Sequence, residues 1–518
     1  MQRWLFAFEA KEIQKYLLKG DKLRDMVGAS ELVNQFCQEF LDDTIEKLEL
    51  SGSPEVIGQA AGGARLIFDS EEDAWRLYSI WQLMADRFVP GLKVVQALVP
   101  VNGSISDALQ RSSECLRAAG NIPRAPLPEI GPLIDRYTRT GGAAVKYDRD
   151  EGAIIDRETF RKRQCFSELK NHPEKNSLIE KIGGLEWADS WPVEMDDISG
   201  PDREYIAVIH ADGNSMGQVF SDLRVHLKSA GDRAPHILRS FSKAVEDTTV
   251  SAVKKAFEDV IFKDYLERNE PTKKWMAARP IVIGGDDITI IIRADLTFDF
   301  VEIFLEEFEI SSQREIEKIA AEHGIEGLPE VFTACAGIAL TKRAYPFSRG
   351  HELAESLCKF SKDSAKSRMK GSYVASCFAF HKVTTSIAGS YDIIMETELE
   401  RPSGLKLWFG PYGVGKYSDE LTQFARIRDL SAAISEFPRS AVNRITRSMY
   451  HNRITAQSDY RRMLQIARKR GHAELAVNMD NLLKSITVND ESPLWDQSGR
   501  TPIEEAMKLH EIHNRNKT

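Results

Sequence analysis

Between Pro280 and Arg293 the chain reads Pro-Ile-Val-Ile-Gly-Gly-Asp-Asp-Ile-Thr-Ile-Ile-Ile-Arg, and few architectures accommodate such a run. Two apolar, β-branched stretches flank a four-residue break, Gly284-Gly285-Asp286-Asp287, which is the pattern of a buried β-hairpin. The glycines permit a tight turn at positive φ and let a bulky ligand approach the backbone. Asp286 and Asp287 then stand side by side at the tip of a hydrophobic scaffold. Neighbouring carboxylates repel each other and are costly to desolvate, so a positive charge between them is expected. A hard divalent ion carrying nucleotide phosphates meets that need, either Mg²⁺ or Mn²⁺.

A second segment points the same way. Residues 204–220 form an apolar strand (205–210) that ends in Asp212, then a small-residue turn, then a helix starting near Met216. Asp212 is a candidate third carboxylate for a two-metal site. The turn Gly213-Asn214-Ser215 offers backbone N–H groups at a helix N-terminus to a triphosphate. Asn214 and Ser215 are candidates for phosphate or base contacts, with turn stabilisation as the competing account of the asparagine.

Ile-His-Ala-Asp-Gly-Asn-Ser-Met-Gly around Asp212, together with the Gly-Gly-Asp-Asp hairpin, resembles the second palm domain of the large polymerase-like subunit of type III CRISPR effector complexes. The stretch 332–346 continues the likeness. So does a helix in which Glu352, Ala354 and Glu355 lead to Ala365-Lys366. The resemblance implies a nucleotidyltransferase that joins ATP into cyclic oligoadenylate messengers with two Mg²⁺ or Mn²⁺ ions. Asp212, Asp286 and Asp287 would be its catalytic and metal-holding residues. Gly213, Asn214, Ser215, Met216, Gly284, Gly285 and Lys366 would bind the nucleotide. Guide RNA, other effector subunits or a second copy of the chain are the partners it implies. GGDEF cyclases and class III nucleotide cyclases share the palm, so the fold by itself does not choose the substrate. Two other readings stand beside this one: an idle scaffold subunit holding guide RNA and neighbours, and a synthase making a cyclic dinucleotide from GTP. Three mutually repelling acids favour an enzyme, because a scaffold has no physical need of them.

The fold class expected is α/β (α+β), with two ferredoxin-like palms. Residues 1–115 read as a degenerate palm: a strand at Trp4–Phe8, helices at 11–18 and from Lys22, and a strand–glycine turn–strand at 55–68 without acids at its tip. Arg65 is a candidate phosphate contact there, or a plain turn arginine. Residues 116–200 read as a connector, with Pro123, Pro126, Pro128 and Pro132 close together. The family resemblance puts a zinc-ribbon loop near 135–145, where Tyr137 and Thr140 stand instead of cysteines, so the loop reads as degenerate. The catalytic palm occupies 201–400, with helices at 216–228, 235–260, 297–321 and 350–368 and strands at 331–340 and 376–381. Residues 401–518 read as a helical domain.

A chain of 518 residues with 42% hydrophobic content and a net charge of −9 builds several cores and is not chiefly a grip for a nucleic-acid backbone. Basic clusters at 136–147, 157–163 and 461–470 read as solvated faces. No run reaches the ~20 apolar residues of a membrane span, and a cytoplasmic protein with no membrane partner is expected. The six cysteines, Cys37, Cys115, Cys165, Cys335, Cys358 and Cys377, are scattered and read as reduced core thiols. His210 and His351, nearest the acids, read as core or supporting residues. No His-Asp pair occurs in the chain, so the family's nuclease activity is not expected.

Overall fold

The computed structural model describes residues 2–60, 62–122, 133–200, 203–268, 274–325, 328–369, 373–384, 389–489 and 492–514. Pro123, Pro126, Pro128 and Pro132 of the connector lie outside these residues, as does Ala61 of the first glycine turn.

Twelve strands are defined among the described residues. They are β1 (Trp4–Lys11), β2 (Glu55–Ala60), β3 (Gly63–Phe68), β4 (Lys93–Pro100), β5 (Ala144–Asp148), β6 (Ala153–Asp156), β7 (Tyr205–Gly213), β8 (Ala278–Gly284), β9 (Asp287–Arg293), β10 (Ala334–Lys342), β11 (Cys377–Lys382) and β12 (Tyr412–Gly413). One sheet has the order β2-β3-β1-β4 and a second the order β12-β11-β10-β7-β9-β8. The run β8-β9-β7-β10 therefore repeats β2-β3-β1-β4. In both, a first strand is followed by helices, a hairpin, a helix, and a last strand that returns antiparallel to the first. That is the ferredoxin-like pattern, present twice, as the internal echo in the sequence predicts.

The chain packs as two compact units. One holds Met1–Asp197, Ser215–Ile290 and Ile310–Phe332; the other holds Ile198–Asn214, Ile291–Glu309 and Thr333–Thr518. Strand β9 contributes Asp287–Ile290 to the first and Ile291–Arg293 to the second.

In the first unit, β1 pairs antiparallel with β3 and with β4. Leu5, Phe6, Ala7 and Phe8 of β1 are all buried, because helices Glu71–Phe88 and Ile105–Gly120 pack on this strand. Trp81 fills the core, its ring 4.7 Å from Phe8 and 4.6 Å from Phe36. Arg65 pairs with Glu9, at 3.1 Å, across β3 and β1.

The connector is more ordered by charge than its sequence suggests. Strands β5 and β6 form a hairpin that leads into the helix Arg157–Asn171. Arg163 is the hub: its guanidinium meets Asp25 at 2.8 Å, Asp148 at 2.7 Å and Glu151 at 2.6 Å, and donates to the Tyr137 hydroxyl at 3.2 Å. Thr140 donates to Asp156. The 157–163 cluster thus corrects the expectation of a solvated face. Lys162 is 1% exposed and bonds Glu158 at 2.7 Å, so two of its cations belong to the interior. Their acidic partners lie on other turns and other segments, which a local charge count does not register.

In the second unit, β10 is buried along Ala334–Thr341 and pairs antiparallel with β7 and parallel with β11. Helix Phe347–Ser367 packs on β7, β10 and β11. It comes so close that a Cβ at Gly337 would lie 1.9 Å from the Ala354 carbonyl oxygen. Further on, Phe424 stacks on Phe298 at 5.4 Å. The buried Glu505 holds β12 by accepting from the Tyr412 hydroxyl at 2.5 Å and the Phe409 N–H at 2.7 Å. The C-terminal region contains helices Phe424–Ser435, Arg439–His451, Arg453–Lys469, Ala473–Thr487 and Ile503–Asn514. Among the described residues no helix is long and apolar enough to cross a membrane.

Replacing Arg163 by methionine leaves Asp25, 1% exposed, charged without its partner. Urea denaturation should show a loss of about 3–5 kcal/mol, the cost of breaking a buried pair from one side. Adding Asp25→Asn should recover part of it.

Candidate functional site

The β8–β9 hairpin turns more tightly than the four-residue break suggests. Gly284 closes β8 and Asp287 opens β9, leaving Gly285 and Asp286 as a two-residue turn. Gly285 has φ +61°, the sign that I′ and II′ hairpin turns require at their first central residue. A Cβ there would meet nothing within 4 Å, so conformation and not space demands the glycine. Thr249, from helix Ala234–Ala256, donates its hydroxyl to the Gly285 carbonyl at 2.6 Å. The turn is therefore pinned to a helix beneath it. Asp286 and Asp287 are both half-buried.

Asp212 is the penultimate residue of β7, and its side chain is 39% exposed. It accepts a hydrogen bond from Lys362 of helix Phe347–Ser367, and the same ammonium donates to the Gly213 carbonyl at 2.9 Å. Burial works against the Lys362 charge, but the Asp212 carboxylate outweighs it, and the net shift of the lysine is upward. Lys362 is thus a fixed cation on Asp212. Lys366, the lysine singled out from the sequence, is exposed one turn further along the same helix. The signal for Lys362 lies in the helix period: it flanks the buried stripe Leu357, Cys358, Ser361 and Ala365.

Asn214 is buried, with its backbone N–H on the Thr333 carbonyl at 2.8 Å and its side-chain amide donating to Thr333 Oγ1 at 3.0 Å and to the Ala375 carbonyl at 3.4 Å. Its amide fastens the end of β7 to neighbouring segments. Ser215 is exposed and left-handed, with φ 58°, and its hydroxyl makes no cap bond to the helix Met216–Ala230. Such backbone strain in a non-glycine residue is concentrated at functional turns. Met216 is buried, 7% exposed.

His210 and His351 are both buried, their rings 5.4 Å apart. Burial, and then the neighbouring His210, push His351 down to about 3, so it is neutral near pH 7. Three of the scattered cysteines meet. Cys335 and Cys377 face each other across β10 and β11 with sulfurs 3.5 Å apart, and the Cys358 thiol donates to the Cys335 carbonyl at 3.2 Å. Cys335 stands opposite Asp212 in the β10–β7 register. All six cysteines are free thiols.

The structure thus groups Asp212, Gly213 and Asn214 with Lys362 in one unit. Gly284, Gly285, Asp286 and Asp287 are grouped with Thr249 in the other, which also holds Ser215 and Met216.

Residues 205–370 match the family model described as Cas10/Cmr2, second palm domain. No curated protein matches the chain. Among solved structures, Csm1 in T.onnurineus aligns with 100% of this chain and 70% of its own at 11% identity and a TM-score of 0.50. A Csm1-Csm4 cassette in complex with pppApApA aligns over 99% of this chain and 69% of its own, at 12% identity and a TM-score of 0.50. A Csm1-Csm4 cassette with AMPPNP aligns over 70% of this chain and 53% of its own, at 13% identity and a TM-score of 0.41. This chain accordingly spans between 53% and 70% of the length of those chains. At these identities the likeness is one of fold.

Two measurements check the local geometry. Gly285→Ala should cost about 1–2 kcal/mol, the penalty of a left-handed L-residue, and Thr249→Val about 0.5–1.5 kcal/mol for the lost hydrogen bond, both read by urea denaturation. For His351, the unfolded chain takes up a proton below its ordinary 6.5 while the folded protein resists to about 3. Its contribution is therefore level above pH 6.5, and stability is lost as pH falls from there toward 3. His351→Gln should flatten that part of the stability–pH curve.

Proposed function

The chain carries the second palm domain of the Cas10/Cmr2 family, and on that premise we propose that it is a nucleotidyltransferase joining ATP into cyclic oligoadenylates. The observation that carries this reading is internal to the molecule. The β2-β3-β1-β4 sheet builds the same topology with a glycine and no acid at its hairpin turn, whereas the second sheet has Asp286 and Asp287 at the hairpin pinned by Thr249, and Asp212 at the end of β7. A hairpin of this topology forms without acids at its turn, which supports a chemical role for Asp286 and Asp287. The pppApApA bound in a related Csm1-Csm4 cassette supports adenylate as the substrate class and a second effector subunit as partner.

The carboxylates of Asp212, Asp286 and Asp287 would each offer oxygen donors, a chemistry that suits Mg²⁺ or Mn²⁺ and not a softer metal. Two such ions, when bound, would lower the pKa of the attacking hydroxyl and neutralise charge on the leaving oxygens. A ribose hydroxyl of one ATP attacks the α-phosphorus of another, a new P–O bond forms, the bond to pyrophosphate breaks, and the hydroxyl proton is released. The Gly213–Met216 turn offers backbone N–H groups to the triphosphate. Lys362, bonded to Asp212 and to the Gly213 carbonyl, is a cation held at that turn and would bear on the phosphates more directly than the exposed Lys366.

The test is incubation of the purified chain with Mg²⁺ or Mn²⁺ and each nucleoside triphosphate, with products resolved by mass spectrometry. Cyclic or linear oligoadenylates are expected, and Asp286→Asn with Asp287→Asn should abolish them without lowering Tm. Lys362→Met should raise KM for ATP more than Lys366→Met. Silence with and without guide and target RNA, together with no Tm response to ATP and metal, would hand the case to the scaffold reading.

A further inference from the structure

Away from the acids, in the unit that contains Ser215–Ile290 and Ile310–Phe332, two helix ends bring a different donor set together. His236 lies in the first turn of helix Ala234–Ala256, and Glu322 and His323 are the last two residues of helix Thr297–His323. His236 Nε2 is 3.4 Å from Glu322 Oε1, and His323 Nε2 is 3.8 Å from the same oxygen. One ligand atom from each of the three side chains lies within 4.8 Å of the others. The two imidazoles are edge-to-face, their centroids 5.1 Å apart. A tetrahedral zinc ion with bonds of about 2.0–2.1 Å holds its donors roughly 3.3 Å apart, so this cluster is one small contraction from a coordination shell.

A second observation separates the cluster from an ordinary surface ion pair. His323 Nε2 is buried without a hydrogen-bond partner, and its side chain is only 6% exposed. At 3.8 Å the glutamate is too far to accept its proton. A buried imidazole nitrogen left in this state is costly, and a metal lone-pair acceptor removes the cost. Glu322 and His236, 55% and 60% exposed, give an ion a route in from solvent.

We propose that His236 Nε2, His323 Nε2 and a Glu322 carboxylate oxygen bind one divalent ion of the zinc class, with water completing the shell. Two imidazoles and one carboxylate select such an ion over Mg²⁺, which prefers oxygen donors throughout. The site is thus chemically distinct from the acids at the hairpin, and the inference does not depend on the nucleotide reading. The ion ties the start of helix Ala234–Ala256 to the end of Thr297–His323. That first helix also carries Thr249, whose hydroxyl holds the Gly285 turn. The metal is therefore a structural staple on the helix that supports the Gly-Gly-Asp-Asp hairpin.

The experiment uses the full chain, stripped with a chelator and titrated with Zn²⁺ in competition with a chromophoric chelator, with thermal unfolding followed in parallel. The expected result is one tightly held equivalent per chain and a rise in Tm that the same concentration of Mg²⁺ does not reproduce. Co²⁺ in place of Zn²⁺ should give the visible absorption of a four-coordinate ion. His236→Ala and Glu322→Gln alter exposed side chains. Each should abolish the equivalent and the Tm rise while leaving the Tm of the stripped protein unchanged. Failure to retain zinc except at large excess would overturn the proposal. So would an equivalent that survives in both variants, since the ion would then sit elsewhere, for example on the Cys335 and Cys377 thiols.

Discussion

The antiparallel pairing of β7 with β10, from Tyr205 opposite Lys342 to Gly213 opposite Ala334, is the constraint from which much of the second unit's architecture follows. A strand paired on both edges and covered on its faces is buried almost to its end, and β7 is buried from Ile206 to Ala211, with His210 its one polar side chain there. The first residue free of that demand is Asp212, where the side chain is partly exposed. The same register sets Cys335 beside it. Two residues along β10, Gly337 admits helix Phe347–Ser367 to near contact. Only a helix seated that closely brings Lys362 within reach of Asp212. The lysine–aspartate pair is thus a product of backbone register and a missing methyl group as much as of two opposite charges.

The features readable in the sequence were those set by local pattern. β-Branched runs around Gly284–Asp287 mark the hairpin, and the family resemblance around Glu352–Lys366 marks the helix at 350–368, observed at Phe347–Ser367. The turn itself is two residues and not four, because strand pairing extends through Gly284 and Asp287 whenever the glycine at 285 can take positive φ. What escaped was long-range. Lys362 and Lys366 share a helix face, and nothing local says which of them meets an aspartate 150 residues earlier. The Arg163 hub collects Asp25 from a distant helix, so a cluster that reads as surface charge is interior. Cys335 and Cys377 became neighbours only because β11 joined β10 in parallel, a pairing that no hairpin turn announces.

The two sheets also separate what the topology requires from what it merely tolerates. Both present a hairpin between a first and a last strand that pair with each other. In the first sheet, the polar contact across β1 and β3 is Glu9 with Arg65, a neutralised pair. In the second, Asp286 and Asp287 stand consecutively at the turn. The first sheet shows that this topology forms without two consecutive acids at its hairpin, so the topology alone does not call for Asp286 and Asp287.

Each unit is assembled from three separate stretches of chain, and β9 is divided between them. A ribosome releases the chain from one end only, and domains generally fold as units as they emerge. Here the unit that begins at the N-terminus is not complete until residue 332 has been made, by which time two stretches of its counterpart have already appeared. The order in which residues emerge therefore does not follow the order of the units. The early β2-β3-β1-β4 sheet, by contrast, is drawn entirely from residues 4–100 and can settle before the rest of its unit has been made.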